Sequence, residues 1–233
     1  MNNNVMDHVV VVCNAPMDAV AERLLTGVAR RPFTLFVGVD GGASRLSALG
    51  VLPHVVTGDF DSLTDADLAR FESQNVTVVP TPDQDYTDLD KALTYVRSIS
   101  TDAPIEIFGA VGGRLDHTYS VLSSVIKHGV LAGADIRLVD GIGETRPVRG
   151  GELVLQGDRL PGRIMSLLTF GIVREVTVTG VRWGLNGATL APGVRDGTLN
   201  EITDTEVLVR CEKNAPLLVQ THHSPLPERT TAR

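Results

Sequence analysis

The sequence predicts an α/β fold in which a parallel sheet with helices on both faces is followed by a small all-β sandwich. Two observations carry this prediction. Short β-branched runs alternate with segments of helical apolar spacing up to about Asp140. Beyond that point the helical spacing disappears, and short alternating runs separated by Gly and Pro take over. The first half is therefore expected to be Rossmann-like, with ligands beyond the carboxyl ends of its strands.

Apolar or β-branched runs predict six buried strands in the first half. They are Val9–Cys13, Leu35–Val39, Val55–Thr57, Val76–Val79, Ile105–Phe108 and Ile136–Val139. Segments with apolar residues at helical spacing separate them. These are Asp18–Arg30, Ala43–Leu49, Asp65–Phe71, Thr87–Ile99 and His117–Lys127. Because parallel strands need long crossover connections, this alternation indicates a parallel sheet.

The second half is predicted to be antiparallel. Its expected strands are Glu152–Gln156, Ile164–Phe170, Val173–Thr179, Thr205–Cys211 and Leu217–Gln220. The glycine-rich stretch 141–151 is expected to be a linker. We therefore predict a catalytic α/β domain over residues 1–142, a β-sandwich over 143–221 and a flexible tail over 222–233.

Composition narrows the function. The 233 residues are 42% hydrophobic, which suits a packed core, and carry a formal net charge of −7. That charge argues against a nucleic-acid partner, whose phosphates need a basic face, but not against a nucleotide substrate. Two isolated cysteines, no basic leader and no long apolar run predict a soluble cytoplasmic protein without a membrane partner.

The first candidate site is Asp59-Phe60-Asp61, directly after a predicted strand. Alternation along an extended backbone would place both carboxylates on one side. Such a pair repels itself unless a cation or proton lies between, and Mg²⁺ prefers oxygen ligands of this kind. The alternative is structural, because acidic loops after strands often cap the next helix.

Three further strand ends carry similar chemistry: Asp40, the Asp83–Asp88 loop and the stretch Gly109–His117. Asp88 is expected to join the acidic cluster, with Lys91 one turn on facing a phosphate. Either Thr87 or Asp85 is an alternative helix cap. In Gly109–His117, glycines permit close backbone approach and Arg114 is suited to a phosphate. Asp116 is either a metal ligand or a cap, and His117 either takes part in chemistry or only starts a helix.

In order and spacing, these motifs resemble those of the thiamine pyrophosphokinase family. The matching stretches are Asp40-Gly41-Gly42-Ala43, Gly58-Asp59-Phe60-Asp61-Ser62, residues 83–93 (DQDYTDLDKAL), Gly112-Gly113-Arg114-Leu115-Asp116-His117 and Val181-Arg182-Trp183-Gly184-Leu185. The resemblance runs from Val9 to Gln220. It implies a homodimeric enzyme that transfers a diphosphate group from ATP to thiamine with Mg²⁺, releasing AMP.

The resemblance also implies roles for single residues. The metal would be held by Asp59, Asp61 and Asp88, of which Asp88 or a neighbour would also accept the thiamine hydroxyl proton. The nucleotide and its phosphates would be surrounded by Asp40, Thr87, Lys91, Arg114 and Asp116. Thiamine would be faced by Gln84 and Trp183, with Asn200 in the C-terminal motif nearby. The active site would lie at the subunit interface.

Two features depart from the family pattern. Leu199 stands where Gly-x-Ser-Asn-Glu has serine, so Thr198 would have to supply a hydroxyl there. The first strand ends in Cys13-Asn14-Ala15 where Asn-Gly is expected. Trp183 is also suited to sandwich core rather than to a ligand, although an aromatic face would suit a thiazolium cation.

Other functions are compatible with parts of the sequence. A phosphatase of the haloacid dehalogenase type uses Asp-x-Asp, but after the first strand, whereas here the pair follows the third. A nucleotide-sugar transferase also binds metal through Asp-x-Asp. A related diphosphotransferase acting on another alcohol, and a non-catalytic nucleotide- or thiamine-binding regulator, are the further alternatives.

Overall fold

The computed structural model describes residues 7–225 and divides them into two compact units. The first unit runs to His128 and resumes at Ala134–Gly141, whereas the second comprises Gly129–Gly133 and the chain from Ile142. The boundary between the units therefore lies one residue before the predicted one. The short segment Gly129–Gly133, which was predicted to belong to the first domain, groups with the second unit.

The first unit contains six strands and five α-helices. The strands are β1 His8–Val12, β2 Thr34–Val39, β3 Val55–Gly58, β4 Thr77–Pro80, β5 Ile105–Phe108 and β6 Ile136–Val139. The helices are α1 Ala19–Val28, α2 Gly42–Ala48, α3 Asp65–Ser73, α4 Asp88–Ile99 and α5 Leu115–Val125. A π-helix, Ile126–Leu131, follows α5 directly.

All six strands pair in parallel, in the order β4-β3-β2-β1-β5-β6. Successive side chains of a strand point to opposite faces, and all four valines of β1 are fully buried. Val10 and Val12 pack with Leu25 and Val28 of α1 on one face. Both faces of the sheet are therefore covered, as the continuous valine run predicts.

The second unit consists of eight strands. They are β7 Gly143–Pro147, β8 Glu152–Gln156, β9 Arg163–Thr169, β10 Val173–Thr179, β11 Leu185–Leu190, β12 Gly197–Glu201, β13 Glu206–Arg210 and β14 Leu217–Pro225. Two antiparallel sets form, β12-β9-β14-β7 and β11-β10-β13-β8. Buried residues from both sets, including Met165, Val176 and Leu217, share one core. The predicted β-sandwich is confirmed.

Three expectations about the second unit are wrong. The predicted linker 141–151 contains β7, and the predicted tail begins inside β14, whose last four residues are 222–225. The sequence also missed β11 and β12, which are rich in Gly, Thr and Asn. β7 and β12 pair with strands distant in sequence, β14 and β9, and β11 pairs with β10 in a register that shifts twice, so the local pattern carries little signal.

The rest of the predicted tail, 226–233, and the start of the first domain, 1–6, lie outside the described residues. Between residues 7 and 225, no helix combines the length and apolar character needed to cross a bilayer.

Two glycines provide a matched test of the packing that supports the strand ends. A Cβ on Gly42, at the start of α2, would lie 1.9 Å from the Val12 carbonyl oxygen, whereas a Cβ on Gly27 in α1 would meet nothing within 4 Å. We expect Gly42→Ala to lower the free energy of unfolding by about 1–3 kcal/mol. Gly27→Ala should raise it by up to about 1 kcal/mol, because alanine favours helix. Urea unfolding measures both, and equal effects would contradict the packing argument.

Candidate active site

A cleft of about 690 Å³ in the first unit collects most of the predicted site residues. It lies where the chain leaves β1, β2 and β3 and where α4 and α5 begin, the place at which open parallel sheets bind ligands. The site residues of the first unit that line it are Asp40, Asp61, Gln84, Thr87, Asp88, Arg114 and Asp116. Separate strand ends thus supply one cleft.

Three carboxylates meet at this cleft. Asp40, Asp59 and Asp88 each place a carboxylate oxygen within 4.8 Å of the other two. Asp40 is buried, Asp88 half-buried and Asp59 exposed, so the group is open on one side. Oxygen-only ligands in this arrangement fit Mg²⁺, which binds a few carboxylates and keeps its other positions for water and substrate phosphates.

Asp40 is the buried member of this trio. It follows β2 with a φ of 47°, and its Oδ1 accepts a hydrogen bond of 3.0 Å from the Phe60 amide. Burial raises its pKa to about 6, and the nearby carboxylates of Asp88, Asp59 and Asp61 add to that shift, whereas the hydrogen bond opposes it. A cation at the trio would offset both burial and repulsion.

Gly58 makes the close approach of Asp40 possible. It ends β3 with a φ of +149°, and a Cβ there would lie 1.8 Å from Asp40 Oδ1. The next turn is held by the Gly41 amide, which donates to Ser62 Oγ at 2.8 Å. The chain after β2 and the chain after β3 are thus joined beside the carboxylates.

The sequence argument for Asp59 and Asp61 needs correction. The strand ends at Gly58, and Phe60 has a φ of 66°, so the two carboxylates do not alternate along an extended backbone. Instead the Asp61 amide donates to Asp59 Oδ1 at 3.2 Å. Asp61 lines the cleft but is not part of the trio, and Asp40 takes the place that alternation assigned to it.

Lys91 contacts Asp88 and the loop before α4. Its Nζ is 2.6 Å from Asp88 Oδ1 and donates to the carbonyl oxygens of Thr81 and Asp83 at 2.7 and 2.8 Å. It is absent from the residues that line the cleft. Lys91 therefore neutralises Asp88 and fixes the loop before α4 in this structure.

Thr87 is the N-cap of α4, as one of the two sequence alternatives proposed. Its Oγ1 accepts from the Asp90 amide at 3.3 Å. Gln84, in the preceding loop, is exposed, and its Nε2 donates to the Pro82 carbonyl at 3.3 Å. The cap fixes where α4 starts, and with it the position of Asp88, the first residue of the helix.

The start of α5 supplies the basic side of the cleft. Arg114 Nε donates to Asp116 Oδ1 at 3.0 Å, which lowers the pKa of the Asp116 carboxyl and raises the pKa of the Arg114 guanidinium. The His117 amide donates to the same carboxylate oxygen at 2.8 Å. The arginine and aspartate side chains are largely exposed, so this ion pair can exchange for a ligand at little cost.

Sequence reasoning missed a polar network beside the cleft. Asp90 is buried, with Oδ2 2.6 Å from Lys127 Nζ and Oδ1 3.0 Å from His128 Nε2. Lys127 Nζ also lies 4.4 Å from the ring centre of Tyr86, which lines the cleft. Lys127 and His128 belong to the π-helix, and no local sequence pattern predicts where a helix changes to π winding. The available signal was Asp90, an acidic residue on the buried face of α4.

Trp183 and Asn200 belong to the second unit and form a pair. The Asn200 amide accepts from the Trp183 backbone N–H at 3.1 Å and donates to its carbonyl at 2.9 Å. Trp183 is 58% exposed, so the sandwich-core alternative is wrong. The Arg182 guanidinium lies 5.3 Å from its ring centre. Because both ends of the Asn200 amide are engaged, this residue positions Trp183.

Leu199 departs from ordinary backbone geometry. Its φ is 60°, its side chain is 68% exposed, and its amide donates to Ser166 Oγ at 3.1 Å. The neighbouring Thr198 hydroxyl donates to Asp196 Oδ1 at 2.9 Å. Thr198, Asn200 and Trp183 border a small pocket of about 160 Å³. The Thr198 hydroxyl therefore lies one position before Leu199, which stands where the family motif has serine.

Comparison with known proteins adds a third line of observation. A model of the thiamin pyrophosphokinase catalytic domain matches residues 31–137. The thiamine pyrophosphokinase of Bacillus subtilis is 32% identical over 185 residues, which are 78% of this chain and 84% of that protein. Thiamin pyrophosphokinase 1 of Caenorhabditis elegans is 29% identical over 186 residues, 75% of this chain and 74% of that protein.

Solved structures agree. The thiamine pyrophosphokinase of Bacillus subtilis superposes with a TM-score of 0.78 at 28% identity, covering 94% of this chain and all of that one. That of Geobacillus thermodenitrificans gives 0.75 at 25% identity, covering 94% and 98%. Fold, cleft and matches together define a transferase with an α/β catalytic unit. The chain belongs to the thiamine pyrophosphokinase family.

The buried network predicts a pH effect on stability. Burial lowers the pKa of His128 despite Asp90, and Lys127 and Arg97 act in the same direction as burial. As pH falls below the ordinary imidazole value of about 6.5, the unfolded chain takes up a proton that folded His128 resists, so stability falls. We expect His128→Gln to flatten the decline in unfolding free energy between about pH 7.5 and 5.5.

The exposed His117→Gln is the matched control and should leave the decline unchanged. Parallel pH profiles for the wild type and His128→Gln would show that His128 does not couple folding to pH.

Proposed function

We propose that the chain transfers a diphosphate group from ATP to thiamine, giving thiamine diphosphate and AMP, with Mg²⁺ as cofactor. The observation that carries this proposal is the trio Asp40, Asp59 and Asp88, two of whose members line a cleft that Arg114 also lines. Transfer of this kind asks a protein for positioning and charge neutralisation rather than a covalent nucleophile. Family membership supports the same reaction.

The acidic residues divide the work. Asp59 and Asp88 are the proposed Mg²⁺ ligands, joined by the buried Asp40, and Asp61 is close enough in the chain to contribute from the cleft wall. The metal, when bound, neutralises the phosphates of ATP. Lys91 holds Asp88 at 2.6 Å and so fixes one ligand. Asp88 or a neighbouring carboxylate accepts the proton of the acceptor hydroxyl.

The substrates are assigned to the remaining side chains. Arg114 releases Asp116 to grip a phosphate, and Asp116 and Thr87 line the same cleft. Gln84 is exposed at the cleft and faces thiamine in this proposal. A cytoplasmic location stays a prediction of the sequence.

One experiment tests the reaction. The purified chain is incubated with ATP, Mg²⁺ and thiamine, and AMP and thiamine diphosphate are measured by mass spectrometry. We expect equal amounts of both products. Tight nucleotide binding without AMP would favour a non-catalytic regulator instead.

A different acceptor is the second candidate, and Leu199 is the observation that favours it. A family serine would place a hydroxyl where this chain exposes an apolar side chain. AMP formation with other primary alcohols, but not with thiamine, would identify a related diphosphotransferase.

The metal proposal predicts a graded response to charge removal. Asp59→Asn and Asp88→Asn should each lower turnover by at least tenfold, because each removes a ligand from the trio. Asp61→Asn, outside the trio, tests the sequence assignment and should be low as well if it binds Mg²⁺. Removing charge from the repelling cluster should leave thermal stability in EDTA unchanged or higher. Wild-type turnover in Asp59→Asn and Asp88→Asn would refute the metal site.

The active site is further proposed to be shared in a homodimer. The cleft residues all belong to the first unit, whereas the exposed Trp183 belongs to the second. A cation such as the thiazolium ring gains roughly 0.5–2 kcal/mol from an aromatic face. In this proposal Trp183 of the partner subunit covers thiamine in the cleft, and Asn200 holds that ring by its backbone.

Mixing two inactive variants tests the shared site. Trp183→Ala and Asp59→Asn, each poorly active, are unfolded and refolded together. If each site takes Trp183 from the other chain, a mixed dimer has one site with both defects and one with neither, so activity partly returns. Refolding each variant alone is the control. Activity that stays low in the mixture, although mixed dimers form, would place both residues in one chain's site.

A further inference from the structure

A second pocket, of about 240 Å³, lies within the second unit. Its walls come from β7, β8, β9 and β14 and from the turn that joins β8 to β9. Three arginines line it, Arg146, Arg159 and Arg163, against a single carboxylate, Glu144. None of these residues takes part in the proposed diphosphate transfer, so the pocket is an independent feature.

Two of the guanidinium groups carry donors without acceptors. Arg146 places a terminal nitrogen 2.7 Å from Glu144 Oε1, but its Nε is buried and has no hydrogen-bond partner. The Nε of Arg163 is likewise buried and unpartnered. Neither Arg159 nor Arg163 forms an ion pair with any residue between 7 and 225. Guanidinium groups without an ion-pair partner at the wall of a pocket favour a negatively charged ligand that accepts hydrogen bonds.

The turn between β8 and β9, which carries Arg159 and leads into Arg163 at the start of β9, is well fixed. The Gly157 amide donates to the Thr205 carbonyl at 2.9 Å, and the Leu160 amide donates to Gly157 at 3.1 Å. The Arg163 amide donates in turn to Leu160 at 3.1 Å. Arg159 and Arg163 are therefore presented by a hydrogen-bonded backbone, which reduces the ordering cost of binding.

Charge and size together define the ligand. An excess of cationic groups is unusual here because the chain as a whole carries a net charge of −7. Planar guanidinium groups bind tetrahedral oxyanions through paired N–H donors. At about 240 Å³ the pocket is smaller than the sites that typically hold drug-sized organic molecules. We propose that this pocket binds inorganic phosphate through Arg146, Arg163 and Arg159.

Calorimetric titration of the full chain with inorganic phosphate, without Mg²⁺ and at low ionic strength, tests the proposal. We expect saturable binding that weakens as NaCl is added. Arg163→Gln and Arg146→Gln should each raise the dissociation constant by at least tenfold, since each loses a charge-assisted hydrogen bond. Arg163→Lys, which keeps the charge but not the planar donors, should fall between wild type and Arg163→Gln.

Two control variants separate this pocket from other sites. Arg174→Gln removes an exposed arginine of β10 that pairs with Glu212, and should leave phosphate binding unchanged. Arg114→Gln removes the phosphate-binding group that we propose for the cleft, so saturable binding that persists in this variant belongs to the pocket of the second unit. Thermal melting in phosphate-free buffer shows that each variant is folded, so a loss of binding is not a loss of structure.

The outcomes are distinct. Absence of saturable binding in the millimolar range overturns the proposal, as does binding that Arg114→Gln abolishes and Arg163→Gln leaves intact. Titration of AMP into Arg114→Gln tests whether the pocket of the second unit takes the phosphate of a nucleotide instead. Binding of AMP without binding of inorganic phosphate overturns the proposal that the ligand is inorganic phosphate. Because the probe is phosphate alone, failure of the proposed diphosphate transfer would not affect this result.

Discussion

Mutual repulsion of carboxylates is the constraint on which the first unit depends. Asp40, Asp59 and Asp88 bring oxygens within 4.8 Å of one another, an arrangement that opposes folding unless other groups compensate. The Phe60 amide and the Lys91 ammonium provide part of that compensation at Asp40 and Asp88. The remainder of the repulsion is what a cation at the proposed metal site would offset.

Backbone geometry allows the carboxylates to meet. Asp40 and Phe60 adopt positive φ values of 47° and 66°, a region that costs free energy for residues other than glycine. Gly58 leaves room for Asp40 where any side chain would collide. Strain of this kind persists only where surrounding structure fixes it, here the buried parallel strands. The free energy of the buried sheet thus offsets the backbone strain at the carboxyl edge of its strands.

The second unit uses hydrogen bonds rather than burial to present its functional candidates. Asn200 hydrogen-bonds to both the N–H and the carbonyl of Trp183. The backbone that carries this exposed indole ring is therefore fixed. Backbone hydrogen bonds likewise fix the turn between β8 and β9, which carries Arg159 and leads into Arg163. In both places an exposed or charged group is fixed by its main chain, which leaves the side chain free for a ligand.

Much of the site was predictable because its residues follow strands in the sequence. Buried β-branched runs such as Val9–Val12 determine where strands lie, and a parallel sheet brings its carboxyl ends to one edge. Asp40, Asp59, Asp88 and Arg114 were located by that rule alone. The same pattern of runs determined the change from α/β to β-sandwich.

Other assignments depended on contacts that no local pattern encodes. The turn at Phe60 decided that Asp40 rather than Asp61 completes the trio. The contacts of Lys91 were decided by the carbonyl groups of Thr81 and Asp83, to which its ammonium group donates. The chain by itself determined the parallel strands and the α-helices of the first unit and the carboxylates at one sheet edge, because periodicity and composition are local. Tertiary structure alone decided which charges pair and which side chains stay exposed, because those depend on neighbours distant in sequence.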